Sequence, residues 1–436
     1  MLVINPMTAD ARVERTATAM AEAGWAVTVV ATAGPALPDS EIRNGFTILR
    51  LPYGRPIKEA VIAQRTNSTN ERSRQQANGT WGILQKLAYV RNYARYSAGG
   101  LRLKTRRSSL VWEEFWLSIG KRLPELVDEP QVIHAHDLGP LHTANELAKH
   151  WSGKPKIIYD SHELFTEQQP NWTRSEKYLW KRHEKRLIKH ADAVITVSDG
   201  IAKELVRRHR LDDLPTVVHN SSGRPKLDLE SPHIRCVTGL NQGQPLGVYI
   251  GNVKEGRGVR FLLEALPLVP DFHLALVGVG QSPYLNALLS SAESGGYRKR
   301  IHVVEAVPSA TLPSFLRTAT VGIHPMELTC MNHDLALPNK LFDYTFARIP
   351  IAVSDLKEMA AFVRRWSLGE VFAPGDSVAI ADALTKIVDS GHKVSDQTLT
   401  EIETEFGWPS QQTKLLSVYG NLSARSRPIQ RRHDQP

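Results

Sequence analysis

Cysteine is almost missing. Two residues, Cys236 and Cys330, in a chain of 436 fit neither a disulfide framework nor a paired zinc motif, which points to a reducing compartment. No apolar run is long enough to cross a bilayer as a helix. The opening Met1-Leu-Val-Ile-Asn5 has no basic lead, so it reads as a first strand rather than a signal peptide. Acids are scarce in one place only. Gly54–Arg122 holds fourteen Lys/Arg against four Asp/Glu, a local excess of +10 in a chain whose total is +9. The rest is close to neutral, so the basicity needs a local explanation.

What is present is an ordinary globular composition, 42% hydrophobic and 23% charged, on a chain too long for one core. Short β-branched runs alternate with helical stretches. Expected strands are Leu2–Asn5, Ala26–Ala31, Thr47–Leu51, Val132–His134, Lys156–Tyr159, Ala193–Val197 and Thr216–Val218. A second series runs Leu246–Ile250, His273–Val277, Ile301–Val304, Val321–His324, Ile349–Val353 and Gly369–Phe372. Continuous apolar strands between helices imply parallel sheets covered on both faces. The polar stretch Ser221–Pro245 reads as the linker between two doubly wound α/β domains. The expected division is a first Rossmann-like domain over 1–222, carrying the basic insert 54–122, and a second over 223–407. A helix over 408–422 and a basic, disordered tail over 423–436 follow.

Ligands of open α/β sheets bind beyond the carboxyl ends of strands, so the residues there are the candidates. Gly251-Asn252-Val-Lys254-Glu-Gly256-Arg257-Gly258 follows one strand and leads into a helix over Val259–Leu266. Glycines admit a phosphate to the backbone, the helix start offers N–H groups, and Lys254 and Arg257 add charge. The other reading is a plain turn with exposed basic residues. Gly278 and Gly280 end the next strand and read equally as a turn. A long irregular loop over His324–Leu337 precedes Pro338-Asn339-Lys340-Leu-Phe-Asp343, which opens a helix. Lys340 and Asp343 share a face; they suit a phosphate and a ribose diol, or a surface ion pair. In the first half, His162 and Glu163 follow a strand and suit sugar binding, or a capped turn with a satisfied histidine. His134, His136 and Asp137 end another; His-x-His with remote carboxylates is a weak metal pattern, and no metal is expected.

Together these residues resemble the family-four retaining glycosyltransferases of the GT-B fold, over nearly the whole chain. Asp10-Ala-Arg12-Val with Gly24-Trp-Ala-Val-Thr resembles the opening strand–helix–strand. Val132-Ile-His-Ala-His136-Asp137, Ile158-Tyr-Asp-Ser-His162-Glu163, Ala191–Ser198 and Val217-Val-His-Asn220 follow. Tyr249-Ile-Gly251 to Arg257-Gly258, Arg300-Ile301, Pro338–Tyr344, Ile349-Pro350 and Phe406-Gly-Trp408 continue in family order. The resemblance implies two Rossmann-like domains across a cleft. The second binds a UDP- or GDP-sugar, with Arg257 and Lys340 facing the diphosphate and Asp343 the ribose. On the acceptor side stand His162, against the transferred sugar, with Asp10, Arg12, His136, Asp137 and Glu163. Transfer with retention, in cell-surface polysaccharide or glycoconjugate synthesis and without cofactor or essential metal, is implied as well. Three departures stand out. Asn252 replaces the usual Arg, Leu335 stands where the first acid of the usual pair belongs, and Asn5–Arg12 has no glycine loop.

Within the insert, Gln64–Thr80 is polar and reads as a loop, and over Trp81–Leu126 apolar residues such as Trp81, Leu84, Leu87, Val90 and Tyr93 fall at helical spacing among Lys and Arg, the pattern of one or two basic amphipathic helices. The expectation is a cytoplasmic protein, peripheral on the inner face of the plasma membrane, with the insert on anionic lipid and a glycan or lipid-linked acceptor. A solvated charged face is the alternative; a nucleic-acid partner is not expected, because the aromatics follow core-like spacing. Two rivals remain: a GT-B epimerase, which needs a carboxylate-rich donor pocket, and a non-catalytic sugar- or membrane-binding scaffold.

Overall fold

The computed structural model describes residues 1–8, 10–53, 115–168, 173–221, 223–225 and 228–425. Most of the insert, including residues 81–114 of the stretch read as amphipathic helices over 81–126, and tail residues 426–436 lie outside them. In the first domain the strands are β1 (Thr28–Thr32), β2 (Ser40–Arg43), β3 (Phe46–Leu51), β4 (Val132–His136), β5 (Lys156–Ser161), β6 (Ala193–Thr196) and β7 (Thr216–Val217). Its longer helices are α1 (Ala11–Glu22), α2 (Leu138–His150), α3 (Arg174–Leu187) and α4 (Asp199–His209). The strands run β2-β3-β1 and β4-β5-β6-β7, and Leu2 bridges the two groups, pairing in parallel with Val30 and Ala135. The expected strand Leu2–Asn5 shrinks to that bridge. Asn5 Oδ1 accepts the Met7 N–H at 2.8 Å and Met7 has φ 57°, so the chain turns away at once.

The second domain carries β8 (Leu246–Ile250), β9 (His273–Val277), β10 (Ile301–Val304), β11 (Val321–His324), β12 (Ile351–Ser354) and β13 (Gly369–Phe372). All are parallel, in the order β10-β9-β8-β11-β12-β13. Its longer helices are α5 (Val259–Ala265), α6 (Pro283–Ser294), α7 (Asn339–Phe346), α8 (Lys357–Arg365), α9 (Ser377–Ser390) and α10 (Asp396–Phe406), and α11 (Trp408–Arg425) ends the chain. Alternate residues of one strand feed different cores. Ala275 and Val277 pack with Leu341 and Met359, while Leu274 and Leu276 pack with Leu262 and Leu384. That is period-two geometry on a sheet covered on both faces.

Three elements differ from the sequence expectation. β2 pairs antiparallel with β3 through Asn44 and Gly45, both at positive φ, the dipeptide that favours a two-residue hairpin. The stretch 221–245 contains a short helix, Ile234–Thr238, and the loop after β11 contains another, Met331–Leu335. The end of the basic insert enters the first-domain core: Phe115 and Ile119 are buried there with Leu123.

α11 returns to the first domain, where Leu415, Val418, Tyr419 and Leu422 pack on Met20, Ile158 and Ile195. The helix Met331–Leu335 also docks there. Leu335 is buried within the first-domain core, and its carbonyl accepts the Ser198 hydroxyl at 2.5 Å. Asn332 Oδ1 accepts the Leu164 N–H at 2.9 Å, and Asn332 Nδ2 donates to Glu163 at 3.2 Å.

Candidate functional site

β8 and β11 are neighbours in the second sheet, but the chain leaves β8 towards β9 and β11 towards β12. That is a topological switch point, where the strand ends open a crevice. Gly251 (φ 97°) ends β8, and a Cβ there would lie 3.1 Å from Lys340 Nζ. Lys340 projects from the first turn of α7 over the Tyr249 ring, 5.0 Å from its centroid. Burial and the nearby Arg257 guanidinium push the Lys340 ammonium down to about 7, against Asp343. Burial pushes Asp343 up to about 7, while Arg15 of the first domain and Lys340 pull it back. Neither pairs with a carboxylate or cation at salt-bridge distance among the described residues, so the surface ion pair is not what forms. His324, at the end of β11, is fully buried, and neither ring nitrogen has a hydrogen-bond partner. Burial, with Lys340 and Arg257 adding to it, holds His324 well below the usual histidine range, hence neutral.

The turn after β8 is tightly specified. Gly258 has φ 70°, and a Cβ there would stand 1.5 Å from the Pro325 carbonyl oxygen. Its N–H donates to Glu327 Oε1 at 3.2 Å, so a carboxylate already meets the start of α5. The Arg257 side chain reaches Met326 Sδ at 3.7 Å. Lys254 and Asn252 are exposed; the Asn252 carbonyl accepts the Tyr249 hydroxyl at 3.0 Å, leaving its side chain outward. Gly278 (φ 68°) closes the end of β9 by donating to the Val304 carbonyl at 3.0 Å, and Gly280 faces open space. Pro338 is the N-cap of α7 rather than its first residue, and Asn339 begins the helix, exposed.

The first-domain wall is built at the ends of β4 and β5. A cleft of about 260 Å³ is lined by Asn5, Asp10, His136, Asp137, His162 and Trp180, among others. Asp10 caps α1 through the Val13 N–H at 3.1 Å. Asp137, at φ 69°, is a strained non-glycine residue. One of its oxygens accepts the His162 N–H at 3.1 Å and the other lies 3.7 Å from His162 Nδ1. Glu163 turns towards the second domain, where Asn332 donates to it; burial and Asp137 push its carboxyl up, and Arg257 pulls it back.

Asp160, which sequence reasoning did not single out, lies behind this wall. Arg12 grips both its oxygens, at 2.9 and 2.7 Å, and also donates to the Val218 carbonyl at 2.8 Å. Arg12 therefore stands behind the cleft rather than in it. His134, His136 and His162 place ring nitrogens 3.5, 3.4 and 3.4 Å from Asp160 Oδ2. His136 and His162 lie 3.1 Å apart, and His134 meets the Tyr419 hydroxyl of α11 at 2.8 Å. Burial opposes charge on Asp160, but Arg12 and the histidines hold it well below the usual carboxylate range. Burial opposes charge on His162 too, but Asp137 and Asp160 outweigh it and hold the ring above its ordinary value. The signal for Asp160 was its place in Asp160-Ser-His162.

His134, His136 and Asp160 bring three potential metal-ligand atoms within 4.8 Å of one another. Their geometry suits hydrogen bonding better. The two imidazoles are stacked with planes 14° apart and centroids 4.3 Å apart, so an ion in the plane of one ring lies out of the plane of the other. Both oxygens of Asp160 are also engaged by Arg12.

Two family models match successive parts of the chain. Residues 244–390 match the family model described as Glycosyl transferases group 1, and residues 86–221 match Glycosyltransferase Family 4. A stretch of 190 residues, 42% of this chain, is 25% identical to the phosphatidyl-myo-inositol mannosyltransferase of Mycobacterium leprae (strain TN). The match spans 48% of that relative, about half its length. Among solved structures, the sucrose-phosphate synthase of Thermosynechococcus elongatus superposes with TM-score 0.67 at 17% identity, covering 98% of each chain. A glycosyltransferase from Rickettsia africae ESF-5 gives 0.63 at 14%, with 98% of each chain covered. The Anabaena protein HepE, solved with UDP, gives 0.61 at 12%, covering 97% of this chain and 99% of its own.

Proposed function

Because the chain belongs to the family-four-like glycosyltransferases of the GT-B fold, we propose that it moves a sugar, with retention, from a UDP- or GDP-sugar to a glycan or lipid-linked acceptor. The observation that carries this reading is Lys340. It is a half-buried ammonium at the switch-point crevice, beside Gly251 and near Arg257, pushed down to about 7 with no acid at salt-bridge distance among the described residues. A cation kept so is completed by an anion, and a nucleoside diphosphate supplies one.

In this reading Gly251 lets the diphosphate lie against the backbone, while Gly258, packed on the Pro325 carbonyl, shapes the turn that carries Arg257. Lys340 and Arg257 offset the negative charge that develops on the leaving diphosphate as the bond to the anomeric carbon breaks, a role suited to cations already in place. Asp343 accepts hydrogen bonds from the ribose hydroxyls. His162, held by Asp137 and Asp160 on the facing wall, binds the transferred sugar while the acceptor oxygen joins the anomeric carbon. These cations do the work a divalent ion would otherwise do, so no essential metal is needed. HepE, similar in fold and solved in complex with UDP, supports a nucleotide as ligand. The mannosyltransferase relative, by name an enzyme acting on a lipid, supports a lipid-linked acceptor. Cell-surface polysaccharide or glycoconjugate synthesis, at the inner face of the plasma membrane, fits such an acceptor and the basic insert. No helix among the described residues is long and apolar enough to cross a membrane.

The test is thermal shift with UDP, GDP and ADP, followed by transfer assays on Arg257→Ala. A nucleotide-dependent rise in Tm, with transfer lost in a folded Arg257→Ala protein, is the expected result. Near-normal turnover by Arg257→Ala refutes the assignment, and the anomeric configuration of the product, read by NMR, decides retention.

A further inference from the structure

α3 has two unlike faces. Inward it buries Trp180, Glu184 and Leu187 at positions i, i+4 and i+7. Glu184 fixes the rotation of the helix, accepting the Tyr159 hydroxyl at 2.9 Å and standing 3.1 Å from His209 Nε2. Outward run Arg174, Tyr178, Arg182, Lys185, Arg186 and, just beyond the helix, Lys189, all exposed. Successive helical turns put these on one face. Tyr178 is 61% exposed and Leu179, beside it, 41%.

Among the described residues the charges of this face have no acidic partner. The other two cations of the helix, Lys177 and Lys181, bind Glu167 at 3.1 and 2.8 Å. Glu176 is engaged in a capping box with Thr173. Arg174, Arg182, Lys185, Arg186 and Lys189 form no ion pair with any described acid. Among the described residues the result is five cations without an acidic partner around an exposed aromatic and an exposed leucine.

We propose that the outer face of α3 docks on a bilayer surface carrying anionic phospholipid. The charge is complementary, and Tyr178 with Leu179 suits insertion at the headgroup boundary. Nucleic acid would use the cations but leaves Leu179 without a role. The inner face sets the consequence, because Trp180 lines the same cleft as His162. Docking therefore holds that cleft about one helix diameter, roughly 10 Å, from the lipid headgroups, within reach of a lipid-linked acceptor. The inference rests on the proposed transfer, deepens its acceptor side, and concerns residues outside the insert 54–122.

The experiment is co-sedimentation of the full chain with phosphatidylcholine vesicles, alone or with about one-third phosphatidylglycerol. The protein is expected to bind only the anionic vesicles, less at high salt. Arg182→Glu/Lys185→Glu/Arg186→Glu should weaken binding about tenfold or more, and Tyr178→Ser/Leu179→Ser should weaken it with all charges kept. The UDP or GDP thermal shift should survive in both, which reports the fold and the donor reading independently. Absence of wild-type binding, or wild-type binding by both variants, overturns the proposal. So does α3-dependent binding of duplex DNA without binding of vesicles.

Discussion

Lys340 is a charge held where a charge is unfavourable until a ligand arrives. Its folded value, about 7, lies below the ordinary 10.5, so the unfolded chain binds more protons above pH 7. Its contribution to stability should therefore rise as pH climbs from 7 towards 10. Lys340→Met should raise stability by ~1–2 kcal/mol at pH 7 and weaken nucleotide binding by about 10- to 100-fold. Thermal melts and calorimetric titration check both; a destabilised variant with unchanged affinity contradicts the site. Gly258 makes a sharper steric case, with a Cβ position 1.5 Å from a carbonyl oxygen. Gly258→Ala should cost at least ~1–3 kcal/mol in backbone strain and abolish the nucleotide-dependent thermal shift. Both were legible in the chain, Gly258 in the turn after a strand and Lys340 at the opening of a helix. His324 was not, because a histidine ending an apolar strand gives no sign that its ring nitrogens are left without partners.

At the scale of elements, the ends of β4 and β5 act as one unit through Asp160. Asp160→Asn leaves the Arg12 charge buried and unpaired, and should cost ~3–5 kcal/mol, read as a fall in Tm. Asp160 lies below its ordinary 3.8 in the fold, so its stabilisation is present above about pH 4 and is lost as pH falls through the lowered value. His162 has the opposite sign. It lies above 6.5 in the fold, so its contribution is complete below 6.5 and is lost as pH rises through the raised value. If the imidazolium binds the transferred sugar, kcat/KM should fall along that alkaline limb, and Asp137→Asn should move the limb to lower pH. A limb that does not move places the titration elsewhere. The pattern Ile158-Tyr-Asp-Ser-His162-Glu marked this strand end, but period two alone could not say that Asp160 points inward to Arg12.

At the scale of the molecule, Leu335 joins the two domains. The resemblance marks its position as a missing acid, while the structure uses it as an apolar peg in the first-domain core, with Ser198 on its carbonyl. Leu335→Ala should cost ~2–4 kcal/mol by leaving a cavity. Leu335→Glu should cost more, by burying an unpaired carboxylate, without raising transfer. Thermal melts with transfer assays test this; a more active glutamate variant would show that the site lacks only its acid. Asn332 and α11 add further contacts between the halves, so the cleft walls are held by side chains far apart in the chain.

The alternation of apolar strands with helices determined the doubly wound class and the position of nearly every strand, because continuous burial on both sheet faces demands that composition. Glycines and cations at strand ends were equally visible, since the positions beyond strand termini follow from sheet geometry. Only the tertiary structure decided which of those residues meet. Gly251 with Lys340, Arg12 with Asp160, and Leu335 with the first-domain core are contacts across 89, 148 and more than 100 residues. Local periodicity carries no information at such separations. The antiparallel β2 was a different case: Asn44-Gly45 announced it in the chain, and the expectation of parallel strands concealed it.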